Sequence, residues 1–333
     1  MMSNRLKSWI RQFAYDLGLM GGLHRLRNRR TLTVFMFHRV LPRDSLAYHH
    51  AEKEFTFSVD GFERALDFIA KHYRVVDHDA VKTAVDGLGR LPSRAALITF
   101  DDGWRDTLLH AREPLARRGM KAVLFLATEV PTLKSARWWQ DQVVEARCDE
   151  DKWRRLLDKV KLPATPSTPL QMSTAMTVAL SRLSDDERHR SLDGVASAEP
   201  MPRQMLLEEE LPQLAPVIAL AGHGHTHAPL NAHPDALSEL VSSHQHLQQW
   251  GADSWSMSFP HGAYDARCLT LAREAGFTVC FTSDPVLMRT GSSSNLSRKI
   301  GRIHVPENQW TCERGLLSHP KLATYLFLRE HAS

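Results

Sequence analysis

The run Ala95-Ala96-Leu97-Ile98-Thr99-Phe100-Asp101-Asp102-Gly103 passes from six residues fit for a buried strand to two carboxylates and a glycine. A short, almost wholly apolar strand is expected where both faces are covered. The same pattern recurs along the chain. Thr33-Val34-Phe35-Met36-Phe37 is followed by His38-Arg39, and Pro216-Val217-Ile218-Ala219-Leu220-Ala221 by Gly222-His223-Gly224-His225-Thr226-His227. Ser254-Trp255-Ser256-Met257-Ser258-Phe259 is followed by Pro260-His261-Gly262. Further strands are expected at 121–127, 278–282 and 300–305. Helical spacing separates them, at 60–71 and at 106–118, the latter ended by Gly119. Buried strands alternating with helices predict a parallel α/β architecture, of which a barrel is one member. Ionisable residues gather at strand carboxyl ends, where such folds build their sites.

The rest of the chain sets bounds. Its 333 residues are 43% hydrophobic and 24% charged, ordinary for a globular protein. The formal charge of +4 gives no nucleic-acid footprint. Four cysteines (Cys148, Cys268, Cys280 and Cys312) show no CxxC spacing, which argues against a disulfide framework or a cysteine zinc site. Residues 1–30 carry seven Lys/Arg against Asp16, with apolar residues at helical spacing from Leu6 to Met20. This basic amphipathic segment suits either the domain surface or peripheral contact with an anionic membrane. It lacks the form of a signal peptide, and no stretch is long and apolar enough for a membrane span. A cytoplasmic location, with contact at the inner membrane face, is the corresponding expectation.

The main body is expected over 31–320. Within it, 131–216 breaks the strand–helix alternation and reads as a helical insertion, with helices at 141–147, 152–160, 170–183 and 205–211. The Pro-rich stretch 163–169 separates two of them, and 321–333 reads as a last helix and tail. No internal repeat is present, and no protein partner is indicated.

Asp101-Asp102 offers a metal ligand beside a free base, although an Asp before a helix is also a common N-cap. His223 and His227 are four apart, a spacing that on a helical turn faces two imidazoles to one side; a His-rich polar loop is the plainer reading. Together with one aspartate they supply the ligand count of a catalytic zinc site. Trp104 and the pair Trp138-Trp139 could stack on a sugar or simply pack.

Thr99-Phe100-Asp101-Asp102-Gly103 matches the TFDDG motif of the polysaccharide deacetylases, the NodB-homology or carbohydrate esterase 4 family. His223-Gly224-His225-Thr226-His227 resembles that family's H-[ST]-x-x-H motif, and Phe259-Pro260-His261-Gly262 its third motif. Phe37-His38-Arg39-Val40 and Gly301-Arg302-Ile303-His304-Val305 are similar to flanking segments. The resemblance implies a distorted (β/α) barrel of fewer than eight strands. It implies metal-dependent removal of an N- or O-acetyl group from a carbohydrate, such as a surface glycan or a lipid-linked sugar. Asp102, His223 and His227 would bind the divalent metal, zinc first. Asp101 would be the general base, with a backbone N–H near Pro260, His261 and Gly262 for the oxyanion. The general acid would be His304 or His261, and His38 would touch substrate or support a ligand.

Three departures from the family pattern stand out. Gly224 replaces Ser or Thr. His261 replaces Tyr. The Arg that orients the base is missing before the third motif, and Arg302 could replace it from another strand. A deformylase or cyclic amidase on the same scaffold, and a glycan-binding protein with impaired catalysis, are the alternatives.

Overall fold

Every apolar run that precedes an ionisable cluster becomes a strand of one sheet. The computed structural model describes residues 11–133, 138–147, 149–162, 169–183, 185–195, 202–290, 296–312 and 315–332. Its strands are β1 (Thr31–Phe37), β2 (Arg39–Leu41), β3 (Thr56–Ser58), β4 (Arg74–Val75), β5 (Ala95–Asp102) and β6 (Ala122–Leu126). They continue as β7 (Ile218–Gly222), β8 (Ser256–Ser258), β9 (Val279–Thr282), β10 (Met288–Arg289), β11 (Lys299–Gly301) and β12 (Ile303–His304).

The sheet runs β10-β1-β5-β6-β7-β8-β9-β11. After β11 only Arg302 intervenes before β12, which pairs in parallel with β1 through Phe35–Ile303 and Met36–His304. The last strand thus returns to the first, and the parallel members form a distorted (β/α) barrel. Antiparallel β10 shares the same edge of β1. β2 and β3 pair apart from the barrel.

The period of two along each strand separates two cores. Leu32, Val34, Ala95, Leu97, Val123, Phe125, Phe281 and Ile300 meet one another from successive strands and fill the barrel. Phe37, Ile98, Phe100, Leu124 and Leu126 face outward, onto Phe62, Leu66 and Ile69 of helix Val59–His72. That helix starts at Ser58, whose hydroxyl accepts from the Gly61 N–H. The interior series continues upward. After Leu32, Val34 and Met36 comes His38, and after Ala95, Leu97 and Thr99 comes Asp101. The alternation that fills the core therefore aims these two ionisable groups at the barrel mouth.

Between β6 and β7 the described residues hold helices Trp139–Arg147, Glu150–Lys159, Pro169–Ser181 and Asp185–Leu192. They share a core of their own, including Trp138, Val143, Leu156, Met176, Leu180 and Leu192. The Pro-rich stretch lies almost wholly outside the described residues, as do residues 1–10 of the basic segment. The helix expected over 205–211 is not formed as such. Met205 bridges Trp104, the Leu206 N–H donates to the Gly103 carbonyl, and helix begins only at Glu208. Backbone groups of the loop after β5 claim this segment. The helix after β5 also differs in its first turn, which is a π turn over Thr107–Ala111 before helix Arg112–Arg117. The C-terminal helix spans His319–Phe327. Among the described residues no helix is long and apolar enough to cross a membrane.

Candidate metal centre and surrounding cavity

A cavity of about 270 Å³ opens over the carboxyl ends of the strands, lined by His38, Asp101, Asp102, His223, His227 and Arg302 among others. Residues far apart in sequence converge there because each follows a barrel strand.

Asp101 and Asp102 would diverge on a regular strand. At the last residue of β5, however, Asp102 takes φ 78°, and this left-handed turn brings its carboxylate round to the cavity. Trp104 Nε1 then donates to Asp102 Oδ2 at 2.8 Å, leaving Oδ1 for the cavity. Trp104 is itself clamped, since the Arg39 guanidinium lies 3.9 Å from its ring centre while Arg39 Nε donates to Asp106. Its role here is to hold Asp102, and Asp106 ties the loop to β2 by accepting from the Val40 N–H.

His223 and His227 do not meet on a helical turn. They lie on the loop after β7, where Gly224 has φ 72° and His227 φ 64°. The conformation at 224 favours glycine, so the residue that departs from the family motif fits its position. The loop is held instead by Glu239 of helix Ala236–Gln249. Its Oε2 accepts from the N–H groups of His225 and Thr226, and its Oε1 from the Thr226 hydroxyl.

Asp102 Oδ1, His223 Nε2 and His227 Nε2 form a buried triangle. The distances are 3.5 Å from Asp102 to His223, 3.2 Å from Asp102 to His227, and 3.2 Å between the histidines. Ligands about 2.1 Å from a tetrahedral ion are separated by about 3.4 Å, so the triangle fits one face of such a site. Two imidazoles and a carboxylate suit zinc and its neighbours among divalent metals. His223 Nδ1 lies 3.0 Å from the Ser258 carbonyl and 2.6 Å from its hydroxyl. Donation from Nδ1 to that carbonyl leaves Nε2 as a lone pair for a metal. The Gln140 side-chain amide, from the insertion, lies 2.8 Å from His227 Nδ1. With its oxygen turned to the ring it accepts from Nδ1 in the same way.

Asp101 stands beside the triangle, its Oδ2 4.0 Å from His223 Nε2 and 4.0 Å from His38 Nε2. Arg302, in the one-residue break between β11 and β12, grips it with both arms, at 2.6 Å to Oδ1 and 2.8 Å to Oδ2. The break thus turns a barrel-closing residue inward, where its guanidinium also stacks over Phe125. Burial works to raise both carboxyls. For Asp101 the charge and hydrogen bonds of Arg302, together with His223 and His38, outweigh it, and the carboxyl lies below the ordinary range. Hydrogen bonds from His223 and His227 do so for Asp102, which lies well below.

The other expected site residues divide. His38 lines the cavity, and its buried Nδ1 has no partner. His304 does not line it: its ring packs behind His38 at 5.8 Å, and its Nε2 is hydrogen-bonded to the Glu54 carbonyl. Burial pushes His304 down to about 4 and His261 down to about 3. His261, at φ 57°, lines the cavity against His227, and Gly262 does too. Pro260 instead supports the loop beneath Gly224. The Gly262 and Ala263 N–H groups are spent on the carbonyls of Phe259 and Pro260, which leaves the His261 N–H as the backbone donor of this turn.

Trp138 and Trp139 are both buried. Trp138 packs edge-on to His227, and Arg188 covers Trp139. Gln140 and Asp141 also line the cavity, and the sequence singles out neither. Asp141, on helix Trp139–Arg147, turns a carboxyl into the cavity with a buried, unpartnered Oδ2. Burial pushes it up to about 7. On its helix Asp141 stands opposite Trp139, Val143 and Ala146, on the side of Glu145, so the periodicity gives no sign of its burial.

No protein-family model and no curated protein matches the chain. Solved structures do. A deacetylase of Streptococcus pyogenes, PplD, solved in complex with acetate, aligns at TM-score 0.58 and 15% identity over 89% of this chain and 98% of its own. A de-N-acetylase from Aggregatibacter actinomycetemcomitans aligns at TM-score 0.51 and 16% identity, over 82% and 94%. A polysaccharide deacetylase from Bacillus cereus aligns at TM-score 0.53 and 13% identity, over 89% and 69%. At such identities the likeness is one of architecture, and it extends over nearly the whole chain: this protein has the distorted barrel fold of the polysaccharide deacetylases.

Proposed function

We propose that the protein hydrolyses the N-acetyl group of a carbohydrate, a hexosamine in a surface glycan or in its lipid-linked intermediate. The observation that carries this reading is a metal-fitting Asp102–His223–His227 triangle with a second, ionised carboxylate, Asp101, held beside it by Arg302. The names of the structurally similar proteins support the acyl group and the sugar.

A divalent metal on the triangle, zinc by the chemistry of the donors, would supply Lewis acidity, polarising the amide and acidifying water. The chain's own groups do the rest. Asp101 takes a proton from the attacking water, and Arg302 keeps that base ionised and aimed. The His261 N–H donates to the acyl oxygen as it gains charge. The C–N bond breaks, and the proton that Asp101 took from the water passes to the leaving nitrogen with His38, which faces both Asp101 and the cavity, as its carrier, so that Asp101 is left ionised again. His304 acts through His38 by fixing its ring.

An acetate-release assay over N-acetyl sugars, oligomers and lipid-linked sugars tests the reading. Release from at least one, abolished by Asp101→Asn and by chelation, is expected. Formate release or cyclic-amide opening without acetate release would replace it by the deformylase or cyclic amidase reading.

A further inference from the structure

Helix Leu19–Arg27 is built inside out. Its buried side is Gly21 and His24, followed by Asn28, while Leu19, Leu23 and Leu26 point to solvent at 61%, 57% and 68% exposure. The polar side is locked in place. The His24 ring meets Phe68, His72 and Tyr73 edge-on, Asn28 Nδ2 donates to the Tyr73 hydroxyl, and Gly21 lies directly against the His72 ring. Rolling the helix to bury its leucines would break all of these contacts.

The apolar stripe extends beyond the helix. Leu17, in the turn before it, is more than half exposed, and the C-terminal helix that packs alongside ends in Phe327, partly exposed under Arg27, followed by the exposed Leu328. Burial of leucine is the ordinary drive for an amphipathic helix. Here it is left unspent on the surface, and a contiguous exposed apolar patch marks a docking face.

The charges around it select the occupant. Residues 11–30 carry Arg11, Arg25, Arg27, Arg29 and Arg30 against the single acid Asp16, and Arg25, Arg29 and Arg30 are exposed. We propose that this face lies on an anionic lipid surface, leucines in the acyl boundary and arginines at the headgroups. A second copy of the chain would bring two such arginine sets together in a symmetric contact, which like charge opposes. The helix leads into the first residue of β1, whereas the cavity lies beyond its last. The proposal is independent of the chemistry assigned to the cavity.

Sedimentation of the full chain with vesicles tests it, using equal parts phosphatidylglycerol and phosphatidylcholine against phosphatidylcholine alone. Binding to the anionic vesicles is expected to be about tenfold stronger or more and to weaken with salt. The double variant Leu23→Ser/Leu26→Ser should lose about tenfold with an unchanged melting temperature, because both side chains are already exposed. The triple variant Arg25→Ala/Arg29→Ala/Arg30→Ala should lose the lipid preference. Three results overturn the proposal: no difference between the vesicles, full binding by the leucine variant, or a leucine-dependent dimer in light scattering with no vesicle binding.

Discussion

Asp141 offers a test of the cavity that needs no substrate. Its carboxyl is buried and its Oδ2 has no hydrogen-bond partner; burial is the main cause of its raised pKa, opposed by Arg39 and reinforced by like charge on Glu145, Asp102 and Asp106. The folded state therefore binds its proton more tightly than the unfolded chain does, near pH 7 against the usual range near 4. The sign follows from linkage. Stability is full below about pH 4, falls as the pH rises toward about 7, and is level above that. About three pH units at 1.36 kcal/mol each put the upper bound of the loss near 4 kcal/mol. Asp141→Asn removes the charge and keeps the shape. In chelator, so that no metal charge intervenes, the variant should be more stable than the parent by about 1–4 kcal/mol at pH 8 and by under about 1 kcal/mol near pH 4.5. Melting temperatures of both proteins across that range read the difference directly. A difference that does not grow with pH, or a variant less stable at pH 8, would refute the unpartnered carboxylate.

Further outcomes follow from the other contacts. Arg302→Ala leaves Asp101 buried without its cation, which should cost about 3–5 kcal/mol of stability and move the acid limb of the pH–rate profile upward, because the base then protonates at higher pH. Arg302→Lys should keep the charge but not the two-armed grip, and recover only part of the rate. His38→Ala should lower kcat by about a hundredfold or more, and His304→Ala by less, since only the first faces the cavity; equal losses would return the acid role to His304. Glu239→Ala frees the loop that carries both histidines and should weaken metal binding by about 10–100-fold, read by competition with a coloured chelator.

Much of this was legible before the fold was known, because the barrel obeys simple periodicities. The apolar runs ending at Phe37, Phe100 and Ala221 are strands, and the alternation that buries Leu97 carries on to Asp101. The value of Arg302 could be read from its place in a late strand, although its two-armed contact could not. The spacing of His223 and His227 left a helical turn and a polar loop open; the structure has the loop, and its positive φ at Gly224 and His227 leaves no periodic trace in the sequence. Glu239 and Asp141 were missed because their roles arise from packing between elements that are distant in the chain. The inverted face of helix Leu19–Arg27 was seen only as amphipathic. Which side turned inward was decided by His24 and Asn28 finding partners on another helix and its following residue.

The most direct test of the central claim pairs metal content with acetate release in three proteins: the parent, Asp101→Asn and Asp102→Ala. The parent should hold one divalent metal per chain and release acetate. Asp101→Asn should hold the metal and fail to release acetate, and Asp102→Ala should lose both. An Asp101→Asn protein that turns over like the parent, or a parent that works fully in chelator with no metal bound, would contradict it.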